Sequence, residues 1–487
     1  MLDSKPRNLK RIQRALTCLV IAGFACGCDR RAASGVTIPS LDGLPEVDPA
    51  VVQLIAGIRS EVAATPDNGL LWRKLGEAFE ANDFLDRADL CYERAVKLAD
   101  LDAHSWYRLA VVQYELGKPD AALKALERSI ELYPTYGPAY WRRGFWLLDT
   151  GQPRDAAAAF KHALTINPAD TCACLGLARA RLETDQFDRA LDALDNSSLR
   201  NSPNRAYAHH LRGLIFKKMN KPDDAAIELA LGRGSAPVLA DPWTLELRKW
   251  RRSYASRLKE AIQDVASGRA NEAIRDLDAL LRERPDDSVT AVTLAAAFLD
   301  QRDAPRAIEV LNKALEHNKD DHAILVNLAW AYAHTGNADE ALRDADRATA
   351  VAPHLTEAYR VKAAVLFDHR RAADAIEALN HAIELDPADA NLRSMRGLCL
   401  EQTSKPEEAS ADYRRAAESN AAHADAWLGL ARCSLQLNRL DEAREALTWA
   451  TRILGPRDPR VAELARQVGE RADGASTSNA NPNSPGR

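Results

Sequence analysis

The side chains with the donor types for metal chemistry fall in two places, His209-His210 and the stretch holding His317, Asp320, Asp321 and His322. Zinc asks for a closed set of about four such ligands. Adjacent histidines on a helix project about 100° apart, and the second stretch closes no set, so both read as solvated polar surface. Cysteine would bring nucleophilic or redox chemistry. Beyond Cys18, Cys26 and Cys28 the chain holds Cys91, Cys172, Cys174, Cys399 and Cys433, an odd five that makes no disulfide framework. Cys172 and Cys174 lie two apart on one expected helix and diverge; small buried hydrophobes is the reading these thiols take. There is no Gly-rich phosphate loop, HExxH or GxSxG, and no strand pattern to hold one. The chain therefore reads as a non-enzyme with no cofactor, no metal and no small-molecule substrate. Its formal net charge of −5 offers no basic field for nucleic acid, and no continuous apolar run is long enough for a transmembrane helix.

What positions side chains here is a period. Residues 106–134, WYRLAVVQYELGKPDAALKALERSIELYP, hold two helix-length segments around a short turn. The small residue opening the core face of the second segment recurs as Ala88, Ala122, Ala156, Ala190, Ala225, Ala273, Ala307, Ala341, Ala375, Ala409 and Ala443, in steps of 34, 34, 34, 35, 48, 34, 34, 34, 34 and 34. Large residues open the first segment (Trp72, Trp106, Tyr140, Tyr359, Trp427). A small residue four further on (Gly76, Ala110, Gly144, Ala431) shares their stripe and lets the partner helix approach. Pro134, Pro168, Pro285, Pro353 and Pro387 end the second segment. Gly117, Gly151, Gly268 and Gly336 end the first, where a left-handed residue is useful.

Two helical stripes per period of 34 resemble the tetratricopeptide repeat. The resemblance implies an all-α solenoid, a right-handed superhelix of about eleven helix–turn–helix repeats, whose first helices line a concave face through positions 2, 5, 9 and 12 and bind extended peptides or helices. In this numbering those positions in repeats 2 and 3 are His104, Tyr107, Val111 and Tyr114, then Pro138, Trp141, Phe145 and Leu148. Arg73, Glu77 and Glu80 of repeat 1 and Arg179 of repeat 4 stand beside them. Aromatic clusters of this kind anchor interfaces, so this groove is the first partner-binding candidate; packing against a neighbouring helix or the capping segment is the competing reading. Trp330, Arg360 and Phe367 in repeats 8 and 9, near Val326 and Ala364, form a second candidate. The clamp with which family co-chaperones hold acidic tails needs Lys and Asn at set positions; Asn327 matches one, but Thr293 and Val361 do not.

The ends differ in kind. Lys5, Arg7, Lys10, Arg11 and Arg14 precede an apolar run at 15–25, the pattern of an export signal over residues 1–28. The run closes in Phe24-Ala25-Cys26-Gly27-Cys28-Asp29, which resembles the lipobox of bacterial lipoproteins, with Ala25 where that family usually has Leu. The resemblance implies lipidation, at Cys28 in preference to Cys26. Residues 29–46 read as a flexible tether, 47–68 as an N-terminal capping helix, 69–239 as repeats 1–5, and 240–253 as a joint between two stacks. Residues 254–457 read as repeats 6–11, 458–472 as a closing helix, and 473–487 as a disordered tail.

The function expected is that of a membrane-anchored scaffold in the bacterial cell envelope. It would face the periplasm or exterior and recruit a protein or peptide partner, or assemble an envelope complex, through its concave groove. The alternatives are a regulatory array of a glycosyltransferase-type system, for which no α/β catalytic portion is visible, and a soluble co-chaperone, which a true export signal would exclude.

Overall fold

The computed structural model describes residues 37–44, 46–239 and 241–478. The expected signal, with Cys26 and Cys28, lies outside them. Among the described residues every regular element is a helix. Eleven helix pairs follow one another from Gly69–Ala81 and Leu85–Leu98 to Ala424–Gln436 and Leu440–Leu454. All eleven alanines of the periodic series are buried. An α-solenoid is what this sequence builds.

Two local rules make the pairs fit. Where the aromatic of the second helix is large, the facing position of the first helix is glycine. A Cβ on Gly76 would sit 2.7 Å from the Tyr92 ring, one on Gly144 2.6 Å from Phe160, and one on Gly397 2.8 Å from Tyr413. Where that position is alanine, as at Ala110 and Ala295, the partner is Leu126 or Leu311, and all four are buried. Packing density is thus held constant by trading volume across the pair. The tryptophans that open a repeat are fixed by their indole N–H, which donates to the carbonyl six residues upstream: Trp72 to Pro66 at 2.8 Å, Trp106 to Asp100 at 2.9 Å, and Trp427 to Ala421 at 3.0 Å.

The turn between paired helices passes through one left-handed residue in every repeat. Gly117, Gly151, Gly268 and Gly336 take it, as their type suggests, but so do Asp83, Asp185, Asn220, Arg302, Arg370, Ser404 and Asn438, with φ between 55° and 67°. Asp and Asn tolerate this region through local hydrogen bonding; arginine does not.

The capping helix is Pro49–Ala64, with the Asp48 side chain accepting from the Ala50 N–H at 2.9 Å and Val51, Ile55, Ile58 and Val62 buried. The closing helix, Pro459–Ser478, runs past residue 472 into the expected tail. The tether needs a larger correction. Residues 37–44 lie against the first repeat: Leu41 is buried, and Ile38, Leu44 and Val47 pack on the same cluster as Val51 and Trp72. Arg87 Nε donates to the Ser40 carbonyl at 2.5 Å. Three apolar residues at a spacing of three supply the contact that composition alone hides.

Candidate functional site

Residues 240–253 join the stacks, but not as a spacer. After the fifth repeat the chain runs back along the concave face of repeats 1–4. Val238 exchanges hydrogen bonds with Asn204, whose Oδ1 accepts from the Val238 N–H at 2.7 Å, and the Cys172 thiol meets the Val238 carbonyl at 3.4 Å. Two short helices follow, Pro242–Leu245 and Glu246–Trp250, the first capped by Asp241. At the far end Asn82 Nδ2 donates to the Trp250 carbonyl at 3.0 Å, while its Oδ1 accepts from the Arg252 N–H at 3.1 Å. The second stack then starts beside the N-terminal cap, the Tyr254 N–H donating to Asp48 Oδ2 at 3.2 Å.

Asp241 is the centre of this arrangement. Its buried carboxylate accepts from the Tyr107 and Tyr136 hydroxyls at 2.9 Å each and from Arg142 Nη2 at 2.6 Å. It also accepts from the Thr244 N–H at 2.9 Å and the Thr244 hydroxyl at 2.8 Å. Burial would raise its pKa, but Arg142 and these hydrogen bonds outweigh burial and hold it at about 2. Trp243 stacks on Tyr136 with ring centroids 3.7 Å apart and on His104 at 4.5 Å, with the Tyr107 ring edge-on at 5.1 Å. Burial first, then the nearby Arg73 charge, lowers the His104 pKa, keeping the imidazole neutral in this stack. Trp250 Nε1 donates to Glu77 at 2.9 Å. Arg108, fully buried beside Thr244, pairs with Glu80; burial and then the like charge of Arg142 pull its pKa down to about 10.

The nine residues expected to form the first groove are brought together on one face, but it is covered by the chain itself. Tyr107, Val111, Trp141, Phe145 and Leu148 are buried. Phe145 packs edge-on against Trp141 and Phe160, in a cluster that Leu239 joins. Tyr114 stacks on Trp146 at 4.4 Å and donates to Asp149 at 2.7 Å. The polar rim is engaged too: Arg73 reaches Asp102 at 3.0 Å, and Arg179 reaches Glu183 at 3.1 Å. Trp141 and Tyr107 are both buried, so replacing either by alanine should cost stability as well as any binding. Tyr136 and Arg142 lie outside the groove positions of the repeat, and Asp241, Trp243 and Trp250 belong to the stretch expected only as a joint. The Asp-Pro-Trp run and the aromatic in the basic KWRR were the signals available.

The second candidate is open. Trp330 Nε1 donates to Glu357 at 2.9 Å, Arg360 closes two hydrogen bonds on the same carboxylate, and its guanidinium lies 5.6 Å from the Trp330 ring. Trp330 and Phe367 are half-buried. Along the same concave positions Ile262 is 41% exposed, Val289 54% and Leu398 37%. Asn327 spends its amide N–H on the Ala323 carbonyl of its own helix.

The remaining chemistry-bearing residues stay apart. His209 pairs with Glu228 at 2.7 Å. Among the described residues no three His, Cys, Asp or Glu side chains are grouped to hold a metal ion, and no helix is long and apolar enough to cross a membrane. Cys91, Cys172, Cys174, Cys399 and Cys433 are buried and unbridged; burial pushes Cys172 up to about 12 and Cys174 to about 11.

Among curated proteins, the chain is 23% identical to an Hsp70-Hsp90 organizing protein of Triticum aestivum over 52% of this chain and 42% of that one. It is 23% identical to DnaJ homolog subfamily C member 3 of Rattus norvegicus over 65% and 59%, and 30% identical to small glutamine-rich tetratricopeptide repeat-containing protein 2 of Mycosarcoma maydis over 23% and 32%. It thus spans less than two thirds of the length of each. Among solved structures, yeast Tom70 matches 85% of this chain and 97% of its own at 16% identity and a TM-score of 0.40. Pseudomonas aeruginosa pilF matches 44% and 97% at 17% identity and a TM-score of 0.40. Models described as tetratricopeptide repeat match residues 103–136, 147–215, 264–321, 298–365, 360–409 and 402–468, together well over half of the sequence. With the eleven stacked helix pairs, these matches make the chain a member of the tetratricopeptide repeat family, whose arrays serve as protein-interaction scaffolds.

Proposed function

We propose that this protein is a non-catalytic scaffold, held at a bacterial envelope membrane by lipid on Cys28, that gathers a protein partner on the concave face of its second stack. The observation that carries the partner site is the contrast between the two faces. The first is filled by the chain's own joint, whereas the second leaves Ile262, Val289 and Leu398 in solvent beside Trp330 and Phe367. Exposed apolar side chains aligned at groove positions of successive repeats favour a protein segment over a small molecule. The co-chaperone alternative gains nothing from Asn327, which is spent inside its helix.

A photo-crosslinker at Leu398 in the native membrane tests the site. It should give a discrete protein adduct that a crosslinker at the outward-facing Lys313 does not. Trp330→Ala with Phe367→Ala should remove it. Equal adducts from both positions overturn the groove reading. Mass spectrometry of detergent-extracted protein tests the anchor: an acylated N-terminal Cys28 is expected, and an intact unmodified Met1 refutes it.

A further inference from the structure

The joint lies in the first groove as a bound peptide would. It crosses the face from Cys172 and Asn204 to Tyr107 and Arg142, then to Arg108, and ends at Glu77 and Asn82. A linker needs only to span two ends. This one meets a site built for it: three donors from the repeats (Tyr107, Tyr136 and Arg142) converge on one buried carboxylate, and Tyr136 and His104 flank one indole. Without the segment those three donors would lose their shared acceptor, Arg142 keeping its Nε contact with the Tyr107 hydroxyl at 2.6 Å, and water would have to take the place of a charged hydrogen-bond partner.

We propose that the concave face of repeats 1–4 is a receptor for a protein segment carrying a carboxylate and, two residues later, an indole or similar ring. Residues 238–250 are its resident competitor. The inference rests on the reading that concave faces of this chain take protein segments, and it adds the chemistry that one of them selects. Tethering at both ends gives the resident segment an effective concentration in the millimolar range. A rival must therefore either bind tightly or arrive when the joint is loosened.

The test uses the full-length protein in detergent and a fluorescein-labelled synthetic peptide with the sequence of residues 236–252. Asp241→Ala with Trp243→Ala in the protein should empty the site. The peptide should then bind this variant at least about tenfold more tightly than wild type, since losing one hydrogen bond to a charged group alone is worth about tenfold or more. Peptides carrying Asp→Asn or Trp→Ala at the equivalent places should bind at least about tenfold more weakly. If circular dichroism shows that the double variant loses helix, a site-specific protease site placed in the 232–236 loop replaces it. The cut chain, with one tether gone, should exchange its segment for the peptide. A folded, opened protein that binds the peptide no better than wild type, or binds all peptides equally, overturns the inference. The Leu398 crosslink is independent of this result, so loss of one reading leaves the other standing or falling by itself.

Discussion

Asp241→Ala should release the joint while leaving the eleven helix pairs intact. The carboxylate is fully buried and pairs with Arg142, whose side chain is 13% exposed. Removing one partner of such a pair strands the other charge, at a cost of about 3–5 kcal/mol. Linkage gives a second route to the magnitude. The pKa of Asp241 falls from an ordinary 3.8 to about 2 on docking, and at about 1.4 kcal/mol per unit this is worth about 2–3 kcal/mol at neutral pH. Taking about 3 kcal/mol, the open population of the joint rises roughly a hundredfold. Limited trypsin digestion reads this directly, because cleavage at Arg248, Lys249, Arg251 or Arg252 needs local opening and tracks the open fraction. Cleavage of the variant should be roughly a hundredfold faster at those bonds, with the stacks surviving. Asp223→Ala, which breaks the exposed ion pair with Arg452, is the control and should change the rate only severalfold at most. A variant cleaved within threefold of wild type would refute the reasoning. The depressed pKa also fixes the pH window. The contribution is complete above about pH 4 and is lost as pH falls towards about 2, so hydrogen exchange of residues 241–250 should accelerate only in that interval. Asp241→Asn should be loosened at neutral pH and lack the transition.

Other consequences are simpler to check. Arg302→Gly and Arg370→Gly relieve left-handed arginines, and each should stabilise the fold by ~1 kcal/mol in thermal or denaturant unfolding. Gly144→Ala should do the opposite, costing about 1–3 kcal/mol because its methyl group meets the Phe160 ring; Phe160→Leu in the same chain should recover part of that. Leu41→Ala should cost about 2 kcal/mol, whereas a loose tether would make it silent. Thiol reagent at pH 8 should leave Cys91, Cys172, Cys174, Cys399 and Cys433 unlabelled in the native protein and label all five in denaturant.

The solenoid was legible because its information is local. A small residue every 34 positions and a stripe on each helix determine each pair without reference to anything distant, and the eleven alanines are buried as their spacing implied. The joint was legible only as a break in that rhythm. Its contacts join Asp241 to Tyr107 across 134 residues and Trp250 to Glu77 across 173, and no periodicity encodes a partner so far away. The groove positions of Tyr107 and Trp141 followed from their place in the repeat. What covers them did not, because a concave face looks the same in sequence whether it is empty or filled. The glycine–aromatic trade was readable from Gly76 and Tyr92, Gly144 and Phe160, and Gly397 and Tyr413, sixteen residues apart in each case.

Because residues 37–44 lie against the first repeat, the lipid proposed on Cys28 would have a short leash. Nine residue steps at full extension reach only ~30 Å. The cap, the first repeat and the start of the second stack, which meet at Asp48 and Tyr254, would all be kept near the bilayer surface. Cargo would have to approach sideways, along the membrane plane, instead of being fished from a distance.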